Sequence, residues 1–261
     1  MEPPGAVGMS ELLGGLAADP AGAAYAVAAV LVAGLVRGFT GFGMSAVIVL
    51  ALSMTLPPAE VVPMALLMEI AASARMLPGA WKDVDWTYAR GLLVGSAAGI
   101  PAGVALLVYV PAGPMRIALS IFVLITTALL FGGFRFRGRP DTRWGYGFGL
   151  LAGVANGAAS FGGQLTALFL LSTPIAAAAA RATLIFLAIV TSVYGAAMAH
   201  LGGLLGVQEL VRAGLLVIPM ALGIAAGERH FLKAAPETYR RTALGLLVAL
   251  AASGLIRAVL G

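Results

Sequence analysis

Cysteine is absent from the 261 residues, so there is neither a disulfide framework nor a thiolate metal site, and the redox compartment leaves no trace in the chain. Histidine is nearly as scarce. His200 and His230 stand alone, too few for a metal cluster, and neither a metal nor another cofactor is expected. Charge is thin as well, at 10% of residues against a soluble norm of about 25%. No Lys or Arg precedes Arg37, whereas Glu2, Glu11 and Asp19 do; a secretory signal peptide opens on basic residues, so the first apolar segment is expected to be retained. Catalytic signatures are missing too. Neither Gly-x-Ser-x-Gly nor His-Glu-x-x-His occurs, which speaks against an intramembrane hydrolase, and without a Walker motif the chain supplies no ATP motor. An enzyme is not expected.

What fills the chain instead is apolar: 61% of residues, with a mean hydropathy of +1.00. A water-soluble fold could not hide that much apolar surface, and several runs approach the roughly 20 residues that cross a hydrocarbon core of about 30 Å. The solvent is lipid. Apolar runs bounded by Pro, Gly and charge lie near 21–36, 44–56, 59–77, 89–110 and 115–134, then near 146–157, 163–172, 175–199, 207–227 and 237–258. This predicts an all-α integral membrane protein of about 8–10 hydrophobic helical segments. The net charge of +5 follows from basic residues in short connections, as membrane topology requires, and no nucleic acid is implied.

The two sets of segments resemble each other. A shift of 119 aligns Gly34 with Gly153, Gly38 with Gly157, Phe42 with Phe161, Gly43 with Gly162, Ser53 with Ser172 and Gly95 with Gly214. Internal duplication of this kind is a frequent way to build transporters. The division is an extramembrane N-terminus at 1–20, a first membrane repeat at 21–134, a basic linker at 135–145 and a second membrane repeat at 146–261. Arg135, Arg137, Arg139 and Arg143 in the linker, and Arg229, Lys233, Arg240 and Arg241 further on, place both connections in the cytoplasm. An odd number of segments per half then inverts the second repeat relative to the first.

Each half opens with a glycine-interrupted helical hairpin. In the first half two segments of 16 and 13 residues fall short of the core thickness at about 1.5 Å per residue. Between them lies Arg37-Gly-Phe-Thr-Gly-Phe-Gly43, and in the second half Asn156-Gly-Ala-Ala-Ser-Phe-Gly-Gly-Gln164. Glycines cost a helix about 1 kcal/mol each and permit positive φ. Broken backbone at membrane depth is tolerated when it lines a cavity, and paired breaks point to a solute site. Helix N-termini following the breaks favour an anion. Arg37 adds positive charge, and Thr40, Ser45, Asn156, Ser160, Gln164 and Thr166 add neutral polar groups. The expected substrate-binding set is therefore Arg37, Gly38, Thr40, Gly41, Gly43, Ser45, Asn156, Ser160, Gly162, Gly163 and Gln164. The same glycines also suit close helix packing.

These breaks, together with Leu56-Pro-Pro-Ala-Glu60 and the weaker second-half echo from Asn156 to Pro174 with Arg181-Ala-Thr183 beyond, resemble the TauE/SafE family of sulfite exporters and related anion transporters. The likeness covers roughly residues 21–258. It implies a multi-pass protein of the bacterial inner membrane that transports sulfite, sulfonates or other small, mostly sulfur-containing organic anions. The chain departs from the family's run of three glycines, with Gly-Phe-Gly-Met-Ser at 41–45 and Phe-Gly-Gly-Gln at 161–164. Alternating access at a midplane site between the two breaks is the leading reading; a passive anion channel and a carrier of a non-sulfur organic acid are the alternatives.

Charges inside apolar segments cost about 2.5–3.5 kcal/mol or more unless paired or hydrated. Glu69 lies midway along 59–77, with Ser73 one turn later on the same face. Glu69 and Arg181 are the coupling candidates, Glu69 as a proton carrier or as partner of Arg181, while a permanent structural ion pair or a snorkelling Arg181 is the plainer alternative. Expected partners are a small anionic solute, the lipid bilayer and protons or another coupling ion, with homo-oligomer formation left open.

Overall fold

A computed structural model describes residues 20–132 and 142–231, with 245, 248 and 252 as isolated positions. The N-terminal residues 1–19, most of the basic linker and nearly all of the segment 237–258 lie outside the described residues. Nine α-helices are described: α1 (Pro20–Thr40), α2 (Met44–Leu52), α3 (Pro58–Ala80), α4 (Trp86–Tyr109), α5 (Ala112–Phe131), α6 (Thr142–Ala159), α7 (Gly162–Leu171), α8 (Ala177–Leu201) and α9 (Val207–Phe231), with a 3₁₀ turn at Trp81–Asp83 after α3. No strand occurs among the described residues. Six of the described helices are long and apolar enough to cross a membrane.

Local chemistry explains the boundaries. Pro58 opens α3, where its missing N–H costs nothing, and Glu60 in the first turn faces the positive end of the helix. Asp85 caps α4 by accepting from the backbone N–H groups of Thr87 and Tyr88 at 2.9 and 3.4 Å. That helix ends at Val110, which is held extended by the proline after it. α1 is longer than the 21–36 segment suggests. Its 21 residues rise about 31 Å, enough to span the core alone. α2 and α7, with 9 and 10 residues, reach only about 14–15 Å. α2 turns back along α1, so that the Tyr25 hydroxyl donates to the Ala51 carbonyl at 3.1 Å.

Burial is inverted relative to a soluble protein. Large apolar side chains such as Val94, Ile125, Leu151, Ile218 and Leu222 point outward, whereas Arg37, Glu69, Asn156, Gln164 and Arg212 are buried. Apolar residues outside and charges inside are what a lipid solvent selects.

Glycine fixes which helices meet. On α4, Gly95 faces Tyr146 and Leu150, Gly99 faces Leu150 and Val154, and Gly103 faces Val154 and Ala158 of α6. Both numbers rise together, so the two helices run parallel, with Gly149, Gly153 and Gly157 of α6 answering on the other side. α1 and α9 repeat the arrangement: Gly34 meets Met220 and Ile224, and Gly38 meets Ile224 and Glu228. A Cβ on Gly38 would lie 2.2 Å from the Ile224 carbonyl oxygen, so this glycine is explained by packing rather than by the break. Ion pairs at both ends, Glu60 with Arg212 at 2.7 Å and Arg75 with Glu228 at 3.7 Å, hold α3 parallel to α9. By contrast α8 runs against α3: Gly195 lies beside Leu66, and Phe186 packs on Trp81 just past the end of α3. Thus α1, α3 and α9 run one way, and α4, α6 and α8 the other. The opening helix of each half packs on the fourth helix of the other half.

Gly153 and Gly147 test this packing on one helix. A Cβ at Gly153 would meet the Ser96 carbonyl oxygen at 2.3 Å, whereas one at Gly147 meets nothing within 4 Å. Gly153→Ala is expected to cost about 1–3 kcal/mol, or to prevent folding. Gly147→Ala is expected to be neutral or slightly stabilising through helix propensity. Thermal unfolding in detergent reads both; equal effects would refute the parallel glycine seam.

Candidate functional site

The breaks are narrower than the glycine clusters. Helical bonding continues through Arg37, whose carbonyl still accepts from the Gly41 N–H at 2.8 Å, and the chain leaves the helix only over Gly41–Gly43. Gly41 (φ 77°) and Gly43 (φ 86°) sit in the left-handed region that a side chain disfavours. In the second half α6 runs on to Ala159 and breaks at Ser160–Phe161 alone. Ser160 takes φ 58°, at the position 119 residues after Gly41. A serine held left-handed costs about 1 kcal/mol or more and is a feature of functional sites.

Between the breaks lies a small cavity. The first half contributes Arg37, Gly43, Ser45, Ala46 and Glu69 to its wall; the second contributes Asn156, Ser160, Phe161, Gly163, Gln164, Ala188 and Ser192. It lies halfway along α3, where Glu69 projects. Arg37 is 2% exposed and Glu69 6%, and they form a salt bridge of 2.6 Å. The carboxylate also accepts from Ser45 at 2.8 Å and Ser73 at 3.4 Å, and Arg37 donates a second bond to the Ser73 hydroxyl at 2.7 Å. Arg37, and not Arg181, is therefore the cation against Glu69. Arg181 is exposed near the start of α8, with its side chain beside Gly41. Two buried charges are tolerable here because each neutralises the other and hydroxyls take up the remaining bonding capacity.

Eight buried side-chain polar atoms among the described residues have no protein hydrogen-bond partner, and five belong to side chains on this cavity: Arg37 Nε, Ser160 Oγ, both amide atoms of Gln164, and Ser192 Oγ. Native proteins leave few such groups, and each calls for an explanation. Their concentration in one place makes the cavity a polar space set inside an apolar molecule. Asn156 is partly engaged, donating from Nδ2 to the Thr191 carbonyl at 3.1 Å.

The two halves answer each other across the cavity. At a separation of 119 residues Arg37 matches Asn156, Ser45 matches Gln164, Glu69 matches Ala188 and Ser73 matches Ser192. The first half thus carries the whole ion pair, and the second places neutral donors and a methyl group opposite.

Of the residues expected from sequence, Arg37, Gly43, Ser45, Asn156, Ser160, Gly163 and Gln164 line the cavity, together with Glu69. Gly41 forms the turn itself. Gly162 lets the arms of the second hairpin close, since a Cβ there would lie 2.8 Å from that of Asn156. Thr40 ends α1, and its side chain lies outside those described. Ser192, Ala188 and Phe161 were not expected as lining residues. The repeat offset carries the signal for Ser192, because adding 119 to Ser73 reaches it.

The family described as Sulfite exporter TauE/SafE matches residues 26–254. The chain is 28% identical over 236 residues to the probable sulfite/organosulfonate exporter TauE of Cupriavidus necator, an alignment covering 84% of this chain and 88% of that protein. No solved structure matches it significantly.

Two sets of substitutions probe the site's construction. Arg37→Ala strands a buried carboxylate and is expected to destabilise by about 3–5 kcal/mol, whereas the double replacement Arg37→Met with Glu69→Met should recover most of that loss. Ser160→Gly relieves the left-handed strain and is expected to raise the thermal midpoint, by about 1 kcal/mol in stability. Unfolding in detergent reads both, and a Ser160→Gly variant less stable than the parent would contradict the strained assignment.

Proposed function

The chain belongs to the Sulfite exporter TauE/SafE family and is a multi-pass membrane transporter rather than an enzyme; we propose that it is a secondary transporter carrying a small sulfur-containing anion, a sulfite or an organosulfonate, by alternating access at the cavity between the two hairpin breaks. The observation that carries this reading is the convergence of unpartnered atoms of Arg37, Ser160, Gln164 and Ser192 on one buried space. A guanidinium, an amide and hydroxyls are the groups that hold the oxygens of a sulfite or sulfonate head. The first turns of α2 and α7 also open on this space, and their leading N–H groups have no acceptor within their own helix. The name of the Cupriavidus necator relative supports sulfite and organosulfonates as the solute class.

The reading extends to the motion. Corresponding helices of the two halves run in opposite directions, α1 against α6, α3 against α8 and α4 against α9, which supports inverted repeats about an axis through the cavity. The exchanged packing defines the moving parts. One body is α1 and α3 with α9, and the other is α6 and α8 with α4, so each combines helices from both repeats. Rocking along the α3–α8 contact exposes the cavity to one side and then the other. The described conformation is narrow, its widest part having room for about one water molecule.

Proteoliposome uptake of labelled sulfite and of a sulfonate tests the proposal. Saturable, gradient-driven flux is expected, with Arg37→Gln lowering it at least about tenfold through loss of the charge-assisted contact. Unitary currents would instead identify a channel, and a thermal-shift response to carboxylates but not to sulfur oxyanions would overturn the solute class.

A further inference from the structure

The cavity's positive group is already occupied. Both terminal nitrogens of Arg37 are engaged, one by the Glu69 carboxylate at 2.6 Å and one by Ser73 at 2.7 Å, leaving Nε alone without a partner. Arg37 and Glu69 together carry no net charge. An arriving anion therefore meets a neutral pair, and its negative charge would be left uncompensated in a low-dielectric interior. Resting on the transport reading above, we infer that the site takes its solute as a single negative charge together with one proton, and that Glu69 is the group that receives the proton.

The physical basis is competition. Glu69 and the solute are both anions seeking one guanidinium, and both cannot be satisfied. When the carboxylate gains a proton delivered from the bulk solution, the cavity acquires a formal charge of +1 and Arg37 is released to face the anion. Ser45 and Ser73 are already bonded to the two carboxylate oxygens, and a hydroxyl can turn from donor to acceptor. The protonated acid is therefore accommodated without new partners. Ala188 stands where a second carboxylate would complete the symmetry, so the exchange involves one proton.

No other charged side chain shares Glu69 among the described residues. α2 and α7 contain no ionisable residue. Arg143 on α6, Arg90 on α4 and the Lys82–Asp83 pair of the 3₁₀ turn are exposed near helix ends. On α9, Arg212 and Glu228 are paired with Glu60 and Arg75, and Glu209 accepts from the Gly206 N–H. Arg116 on α5 donates to the carbonyls of Ser53 and Leu56. On α8, Arg181 lies beside Gly41, and His200 bonds the Leu205 carbonyl oxygen at the far end.

The charge count also selects the solute. With Glu69 neutral, one negative charge balances Arg37, so a sulfonate or hydrogensulfite fits. A dianion such as sulfate leaves a surplus charge buried, and is expected to bind at least about tenfold more weakly.

Isothermal titration of the purified protein with methanesulfonate, which stays singly charged across the working range, reads the linkage directly. Repeating it in buffers of different ionisation enthalpy counts protons taken up. Uptake of about one proton per bound anion is expected, with affinity falling as pH rises. Glu69→Gln keeps the side-chain shape and the Ser45 contact, and is expected to bind the sulfonate with no proton uptake and no pH dependence. Binding by the parent without proton uptake at any pH, or uptake that persists in Glu69→Gln, overturns the inference while leaving the transport reading intact. Methanesulfonate that neither binds nor is transported overturns both. Should Glu69→Gln fail to fold, the parent's proton count still decides.

Discussion

The ion pair between Arg37 and Glu69 is the constraint on which the interior is organised. A single charge at that depth would be expelled or neutralised, and a pair survives only if its geometry is held from all sides. Three elements do the holding. α1 supplies the guanidinium, α3 supplies the carboxylate and Ser73, and the first turn of α2 supplies Ser45. The short return helix is therefore placed by a polar contact at its start, while Arg116 satisfies backbone carbonyls at its other end at 2.7 and 3.3 Å. Pairing at both ends keeps a helix too short to cross the bilayer from drifting in an apolar surround.

Glycine then does two different jobs that the sequence alone runs together. At Gly41 and Gly43 it supplies backbone angles that let the chain reverse. At Gly38, Gly99 and Gly153 it removes a side chain so that two helices touch along their backbones. Without a hydrophobic effect between helices in lipid, that close approach supplies dispersion contacts that larger residues would prevent. The asymmetry of the site follows the same economy. Ser160 keeps its hydroxyl in a conformation glycine would adopt at lower cost, and the hydroxyl is aimed at the cavity rather than at another part of the protein.

Much of this was legible from residue order. The helices appear where Pro, Gly and charge bound the apolar runs, and all-helical architecture follows from the demand that lipid places on backbone polar groups. Arg37, Ser45, Asn156, Ser160 and Gln164 were legible as site residues because polar groups beside paired glycine breaks have few structural reasons to be there. Other features were not. The extent of each break was overestimated, because glycine clustering shows where a helix may bend but not how many residues keep their helical bonds. The partner of Glu69 was open between a proton and Arg181, since periodicity orders residues along one helix and says nothing about which neighbour stands across from it. Ser192 was hidden for the same reason, as an ordinary serine in a long apolar helix until its counterpart Ser73 is seen to touch the ion pair.

The crossed pairing of first and fourth helices bears on how such a chain is made. The small-residue face of α1, with Gly34 and Gly38, is covered by α9, whose matching glycines are Gly223 and Gly227. α1 leaves the ribosome some 190 residues before α9 is finished, so it enters the bilayer with its contact face uncovered and must wait there for most of synthesis. α4, by contrast, meets α6 soon after both have been inserted. Assembly therefore closes last along the α1–α9 seam, and a chain cut between its halves would leave each piece holding two strips of glycines that only the other piece can cover.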